Sequence, residues 1–153
     1  WWGTAEPVVI TTFNRDENTK SGSIKNIRFF NVIAKGENGV LIHGNAENII
    51  EDVTFENCKI TLTKTSKWDC GMYDLRPCLD WGVEKYDNSA FFIRYAKNVL
   101  IEKTQTMWGN LCDSYKHAID AENVENLELV RFDGKAVSPL VDDIKLNNVK
   151  IVK

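Results

Sequence analysis

The chain has 153 residues and a mass of 17.5 kDa, about one domain, with enough length to bury a real core. Hydrophobic residues make up 43% and charged residues 27%, which fits neither disorder nor a membrane span. A net charge of -3 argues against a nucleic-acid partner, because phosphates call for a basic face, and no apolar run approaches the ~18 residues of a transmembrane helix.

The sequence opens on Trp1 and Trp2 with no initiator Met, so a processed or truncated start is expected, with any targeting signal removed. Val and Ile together number 26, against 10 Leu and 8 Ala. Such β-branched side chains are stiff at χ1 and pack well on a pleated surface. Asn contributes a further 15 residues, and Asn tolerates left-handed backbone and caps turns with its own amide. Many short strands joined at Asn-containing corners are therefore expected.

Along the chain, a strand is expected over 7–12, and then a motif begins that recurs: Asn or Asp, an apolar residue, any residue, another apolar residue. The copies are Asn26-Ile27-Arg28-Phe29, Asp52-Val53-Thr54-Phe55, Asn98-Val99-Leu100-Ile101, Asn126-Leu127-Glu128-Leu129 and Asp143-Ile144-Lys145-Leu146. Their lead positions are 26, 46, 28 and 17 residues apart. In the first two copies another Asn follows, Asn31 and Asn57. Further short strands precede later copies over 39–43, 90–94 and 117–121. The unit reads strand, tight corner, strand, longer connection. Alternation puts Ile27 and Phe29, Val53 and Phe55, and Leu127 and Leu129 on an inward face, with Arg28, Thr54 and Glu128 outward. Stacked units would line these residues up in ladders and let the corner Asn and Asp side chains bond from coil to coil. This pattern predicts an all-β chain, a right-handed parallel β-helix of about four to five coils; the alternative is an antiparallel sandwich of short strands.

Between 61 and 89 the repeat breaks off into one long inserted loop, rich in aromatic and charged residues: Trp68, Tyr73, Trp81 and Tyr86 with Asp69, Asp74, Arg76 and Asp80. A loop of this length is usually functional or disordered, and the aromatic content opposes disorder. Two readings stand. The loop folds back as a cover over a sheet edge, or its rings and charges wall a carbohydrate cleft. Cys70 and Cys78 are close enough in sequence for a loop-closing disulfide, as would suit an exported protein; the alternative leaves both reduced.

No cofactor or metal is expected. There is no Cys-x-x-Cys pair, and the two histidines, His43 and His117, lie far apart. Serine-hydrolase, phosphate-loop and dinucleotide motifs are missing as well. The acid pairs Glu51-Asp52 and Asp142-Asp143 straddle repeat corners, where turn chemistry already accounts for one member of each. His117 begins a strand and reads as a surface or structural histidine.

The stretches WWGTAEPVVITTFNR, GSIKNIRFFNVIAKGENGVLIHG and IEDVTFENCKITLTKTSKWDCGMYDLRPC, continued by FFIRYAKNVLIEKTQTMWGN and HAIDAENVENLELVRFDGKA, resemble the C-terminal coils of bacterial glycoside hydrolase family 28, the polygalacturonase-like enzymes. Of these, WWG-x-x-EP and YDLRP are the more particular. The resemblance implies a right-handed parallel β-helix, a secreted or periplasmic location and a pectin-type, uronate-containing polysaccharide as partner. In active members an acid protonates the glycosidic oxygen while a base activates water, with inversion and carboxyls roughly 6.5–9.5 Å apart. The family's Asn-Thr-Asp, Asp-Asp, Gly-His-Gly and Arg-Ile-Lys motifs are not matched here, so no catalytic residue is assigned. Asp142-Asp143, followed by Ile-Lys-Leu, does not take that role. The expected contribution is a wall of the substrate groove, built from Trp2, Arg15, Trp68, Tyr73 and Arg76, with Trp1 and Phe13 alongside; the arginine fork suits a uronate carboxylate. Two other readings are a non-catalytic carbohydrate-binding β-helix and a structural cap, the latter favoured by the lysines of the final copy (Lys145, Lys150, Lys153). An open coil edge at Trp1 and 8–10 also predicts self-association.

Overall fold

The computed structural model describes residues 6–79 and 82–152. Two of the expected wall residues, Trp1 and Trp2, lie outside these, as do Asp80 and Trp81 of the loop. Among the described residues there are twelve strands and no helix. In chain order they are β1 (Val9–Thr11), β2 (Lys25–Phe30), β3 (Ile33–Gly36), β4 (Val40–His43), β5 (Ile50–Glu56) and β6 (Lys59–Leu62). After these come β7 (Met72–Asp74), β8 (Val83–Lys85), β9 (Phe91–Glu102), β10 (Gln105–Trp108), β11 (Ile119–Val130) and β12 (Ile144–Val152).

The chain is all-β, and nearly every pairing is parallel. One ladder runs β1, β4, β9, β11, β12; a second runs β2, β5, β9, β11, joining the first through the long strands; a third runs β3, β6, β10. The parallel registers exclude the antiparallel sandwich. Only β7 and β8 pair antiparallel, as a hairpin inside the long insertion. The third ladder falls in what the repeat pattern leaves as a longer connection. Its strands, such as Lys59-Ile60-Thr61-Leu62, are too short for alternation to stand out.

The corners explain the Asn content. Asn26, Asp52, Asn98 and Asn126 all have left-handed backbone, with φ between 54° and 61°. Asn tolerates this region because its short amide bonds locally. Asn98 Nδ2 donates to Asp52 Oδ1 at 2.8 Å, across 46 residues, and Asn126 Nδ2 donates to Asn98 Oδ1 at 2.9 Å, across 28. A second set five positions on, Asn31, Asn57, Lys103 and Arg131, is left-handed too. Asn57 Nδ2 donates there to Asn31 Oδ1 at 2.7 Å, across 26 residues.

The fifth copy needs correction. Ile144-Lys145-Leu146 pairs with Ile119-Asp120-Ala121, so it continues the strand before the corner rather than the one after it. The corner here is Asn148 (φ 51°), whose Nδ2 donates to Asn123 Oδ1 at 2.7 Å. An Asp followed by apolar residues at the next and third positions satisfies the sequence pattern, but Asp143 instead accepts from the Ala136 N–H and from Lys135.

Between the ladders lies the main core: Ile10, Ile42 and Ile93 from the first, Val53, Val99 and Leu127 from the second, Ile60 and Leu62 from the third. Like stacks on like, as expected: Phe29 lies on Phe55, centroids 4.5 Å apart and planes 13° from parallel. Full burial of such side chains contributes about 1.5–3 kcal/mol each.

Candidate functional site

Alternation along the first ladder turns two rows of side chains away from this core. In register, one row is Val9, Leu41, Phe92, Asp120, Lys145, and the next is Thr11, His43, Arg94, Glu122, Asn147. The apolar part of the first row would be stranded in water, and the inserted loop covers it. Tyr73 and Leu75 close over Leu41 and Phe92 as a second core, with Phe13 and Cys78 packed at its margin. Tyr73 stacks on Phe92 at 4.4 Å and Tyr86 meets the same ring at 4.9 Å.

Three clamps hold the loop. The Glu37 carboxylate, 6% exposed, accepts from the backbone N–H and hydroxyl of Thr65 (2.8 and 2.6 Å), the backbone N–H and hydroxyl of Ser66, and Lys64 Nζ at 3.2 Å. Burial alone would raise its pKa, but these donors outweigh burial and hold the carboxyl at about 2. Next, buried Asn88 accepts from the Gly71 N–H and the Ser114 hydroxyl and donates to Asn38, which donates in turn to Glu6 Oε1 and the Met72 carbonyl. Finally, a disulfide joins Cys70 to Cys112, Cα atoms 6.7 Å apart. Of the two alternatives for Cys70 and Cys78, neither holds, since Cys70 pairs with Cys112 instead. Strand β7 carries the chain away from Cys70 before it reaches Cys78, whereas Ser114, bonded to Asn88 beside Gly71, brings the Cys112 connection close.

Beyond the loop the same ladder face turns polar. Arg94, 5% exposed, pairs with Asp120 at 2.8 Å, reaches Glu122 at 3.7 Å and lies 3.8 Å over the Phe92 ring. Lys145 takes the other Asp120 oxygen at 3.2 Å. His43 Nδ1 sits 2.8 Å from the Gly44 carbonyl, which can only accept, so Nδ1 carries the proton of the neutral ring. Burial lowers the His43 pKa.

The described members of the expected wall stand in different surroundings. Arg15 is exposed in the β1–β2 connection, two residues after Phe13. Trp68 is 42% exposed, with Lys67 Nζ 5.2 Å from its ring. Tyr73 is buried, its hydroxyl accepting the Ser89 N–H at 3.1 Å, so it anchors the loop and offers no ring face to a ligand. Arg76 spends its fork on Asp74, with Nε to Oδ1 at 2.8 Å and Nη2 to Oδ2 at 2.6 Å. That pair holds the Asp74 pKa down, while burial pushes Glu6 up despite its bond from Asn38. Glu6 also accepts from the Asp74 N–H at 3.5 Å, so Glu6 of WWG-x-x-EP and Asp74 of YDLRP meet in space.

What the loop does form with its surroundings is an open cleft of about 360 Å³, whose lining includes Phe13, Asn14, Glu47, Leu75, Leu79 and Glu84. Gly82 (φ 68°) belongs to the lining too, and an added Cβ there would run into Cys78 Sγ and come within 2.7 Å of Arg76 Cγ. Against known proteins, no family model matches the chain, and neither a search of curated proteins nor one of solved structures finds a match.

Proposed function

We propose that the chain is a right-handed parallel β-helix of the polygalacturonase-like glycoside hydrolase kind, and that it serves such a hydrolase by holding pectin-type polysaccharide along its loop-bordered outer face. In this reading β1–β3 make one coil, β4–β6 the next, β9 and β10 a third, β11 a fourth and β12 the start of a fifth. One observation carries the coil assignment: the side-chain amides that bridge successive corners span 26, 46 and 28 residues, the same intervals in which the motif recurs. The larger interval contains the hairpin insertion. Right-handed crossover is the general rule for parallel pairings of this kind. The Cys70–Cys112 disulfide, a bond rare in the reducing cytosol, supports export.

The role is binding, because the chain carries none of the family's catalytic aspartate motifs. Titration with a mixture of pectic oligosaccharides, followed by calorimetry, should show saturable binding without release of new reducing ends. A flat titration favours the second reading, a structural cap. That reading rests on β12, which pairs only with β11 among the described residues and presents Lys145 and Lys150 along its length.

A further inference from the structure

We infer that the cleft beside Phe13 accepts a neutral, hydroxyl-rich sugar unit and disfavours a uronate. The inference rests on the carbohydrate reading above and narrows it to one class of sugar.

Phe13 is fixed from behind by His43, with ring centroids 4.9 Å apart at 52°, and it packs at the margin of the Leu41, Tyr73, Leu75 and Phe92 cluster. Together with Leu75 and the half-exposed Leu79 it gives the cleft an apolar side suited to the C–H face of a sugar ring. The charged groups of the lining are of one sign. Glu47 and Glu84 supply carboxylate oxygens, which accept hydrogen bonds from hydroxyls more strongly than neutral acceptors do. Asn14 spends its Oδ1 on the Ser21 N–H at 2.7 Å, which leaves its amide hydrogens as donors.

No lysine or arginine belongs to the cleft lining among the described residues. Arg76, whose side chain lies against Gly82, gives its Nε and Nη2 to Asp74. A sugar carboxylate would thus enter beside two carboxylates with no cation to meet it, and like charges placed together select against that ligand. A neutral ring brings hydroxyl donors to the same oxygens and meets no repulsion.

The test is calorimetric titration of the protein with galactose oligomers and with galacturonate oligomers of matched length, in EDTA. The galactose oligomer should bind, with the galacturonate oligomer about tenfold or more weaker. Glu84→Gln, and Glu47→Gln with it, should close the gap by strengthening galacturonate binding, with the melting temperature unchanged. Phe13→Leu should weaken the galactose oligomer. Equal or tighter binding of galacturonate to the unaltered protein, or galacturonate binding that appears only when calcium replaces EDTA, overturns the inference and leaves the carbohydrate reading standing. If neither oligomer binds, the carbohydrate reading falls and takes the inference with it.

Discussion

Asn98 donates its side-chain amide to Asp52 across 2.8 Å, and both residues stand in left-handed backbone, with φ of 54° and 56°. Each residue is chosen twice over, once for its dihedral and once for its bond to the next corner. Asn98→Ala removes both advantages and should cost about 2 kcal/mol, from left-handed strain and the lost amide bonds. Asn98→Gly keeps the dihedral accessible and should cost about half as much. Urea midpoints at constant m-value measure the difference; equal losses would mean that the dihedral is not what the Asn supplies.

Glu37 predicts acid sensitivity. Its folded pKa of about 2 lies below the ordinary 4.5, so the unfolded chain binds the proton more readily. The stabilisation is present in full above about pH 4.5 and is lost as pH falls toward about 2. Glu37→Gln should remove part of the slope in stability over that window. Because the carboxylate holds 64–66, hydrogen exchange at Thr65 and Ser66 should rise in the variant first. An unchanged slope would assign the acid sensitivity to other carboxylates.

Corner residues and inward rows were legible because both are local: left-handed backbone selects Asn, and alternation of period two marks the buried face, as Val53 and Phe55 show with full burial. The third ladder was not, since its four-residue strands alternate too briefly, and the fifth copy slipped because Asp143 matches the motif while capping a turn. The candidate site was the least legible. Tyr73 reads as a loop aromatic until Phe92 is seen beneath it, and His43, Arg94 and Asp120 come together only through strand register. Nothing local in the sequence around Arg94 announces a partner 26 residues away.

The disulfide sets a prediction about the loop. Cys70 and Cys112 are 42 residues apart, and closing a loop of that size contributes about 2–4 kcal/mol. Cys112→Ser should lower stability by that order and speed proteolysis within 64–87. Alkylation of the denatured, unreduced protein followed by peptide mapping should label Cys58 and Cys78 and leave Cys70 and Cys112 unlabelled. Label on Cys70 would refute the pairing.

Tyr73 should behave as an anchor. Tyr73→Phe removes the hydroxyl that accepts the Ser89 N–H and meets the Asn88 side chain, and should cost about 1 kcal/mol. Tyr73→Ala opens a cavity over Phe92 and should cost about 3–5 kcal/mol. A Tyr73→Ala protein as stable as the parent would mean that the loop is held by its clamps alone.

Arg94 and Asp120 form a buried ion pair whose removal should be asymmetric. Asp120→Ala leaves the buried Arg94 guanidinium with two backbone carbonyls, Glu122 at 3.7 Å and the Phe92 and Tyr86 faces as partners. Stranding such a charge costs about 3–5 kcal/mol. Arg94→Met instead leaves the buried Asp120 still paired with the exposed Lys145 at 3.2 Å, so the loss should be smaller. Arg94→Met combined with Asp120→Leu, an apolar pair of similar bulk, should recover most of the Asp120→Ala loss, because the charges that lose a partner, Lys145 and Glu122, are exposed to solvent. A double-mutant cycle read by thermal unfolding decides the matter. If the double variant is as unstable as Asp120→Ala, the pair is holding the ladder in place by geometry that packing alone does not supply.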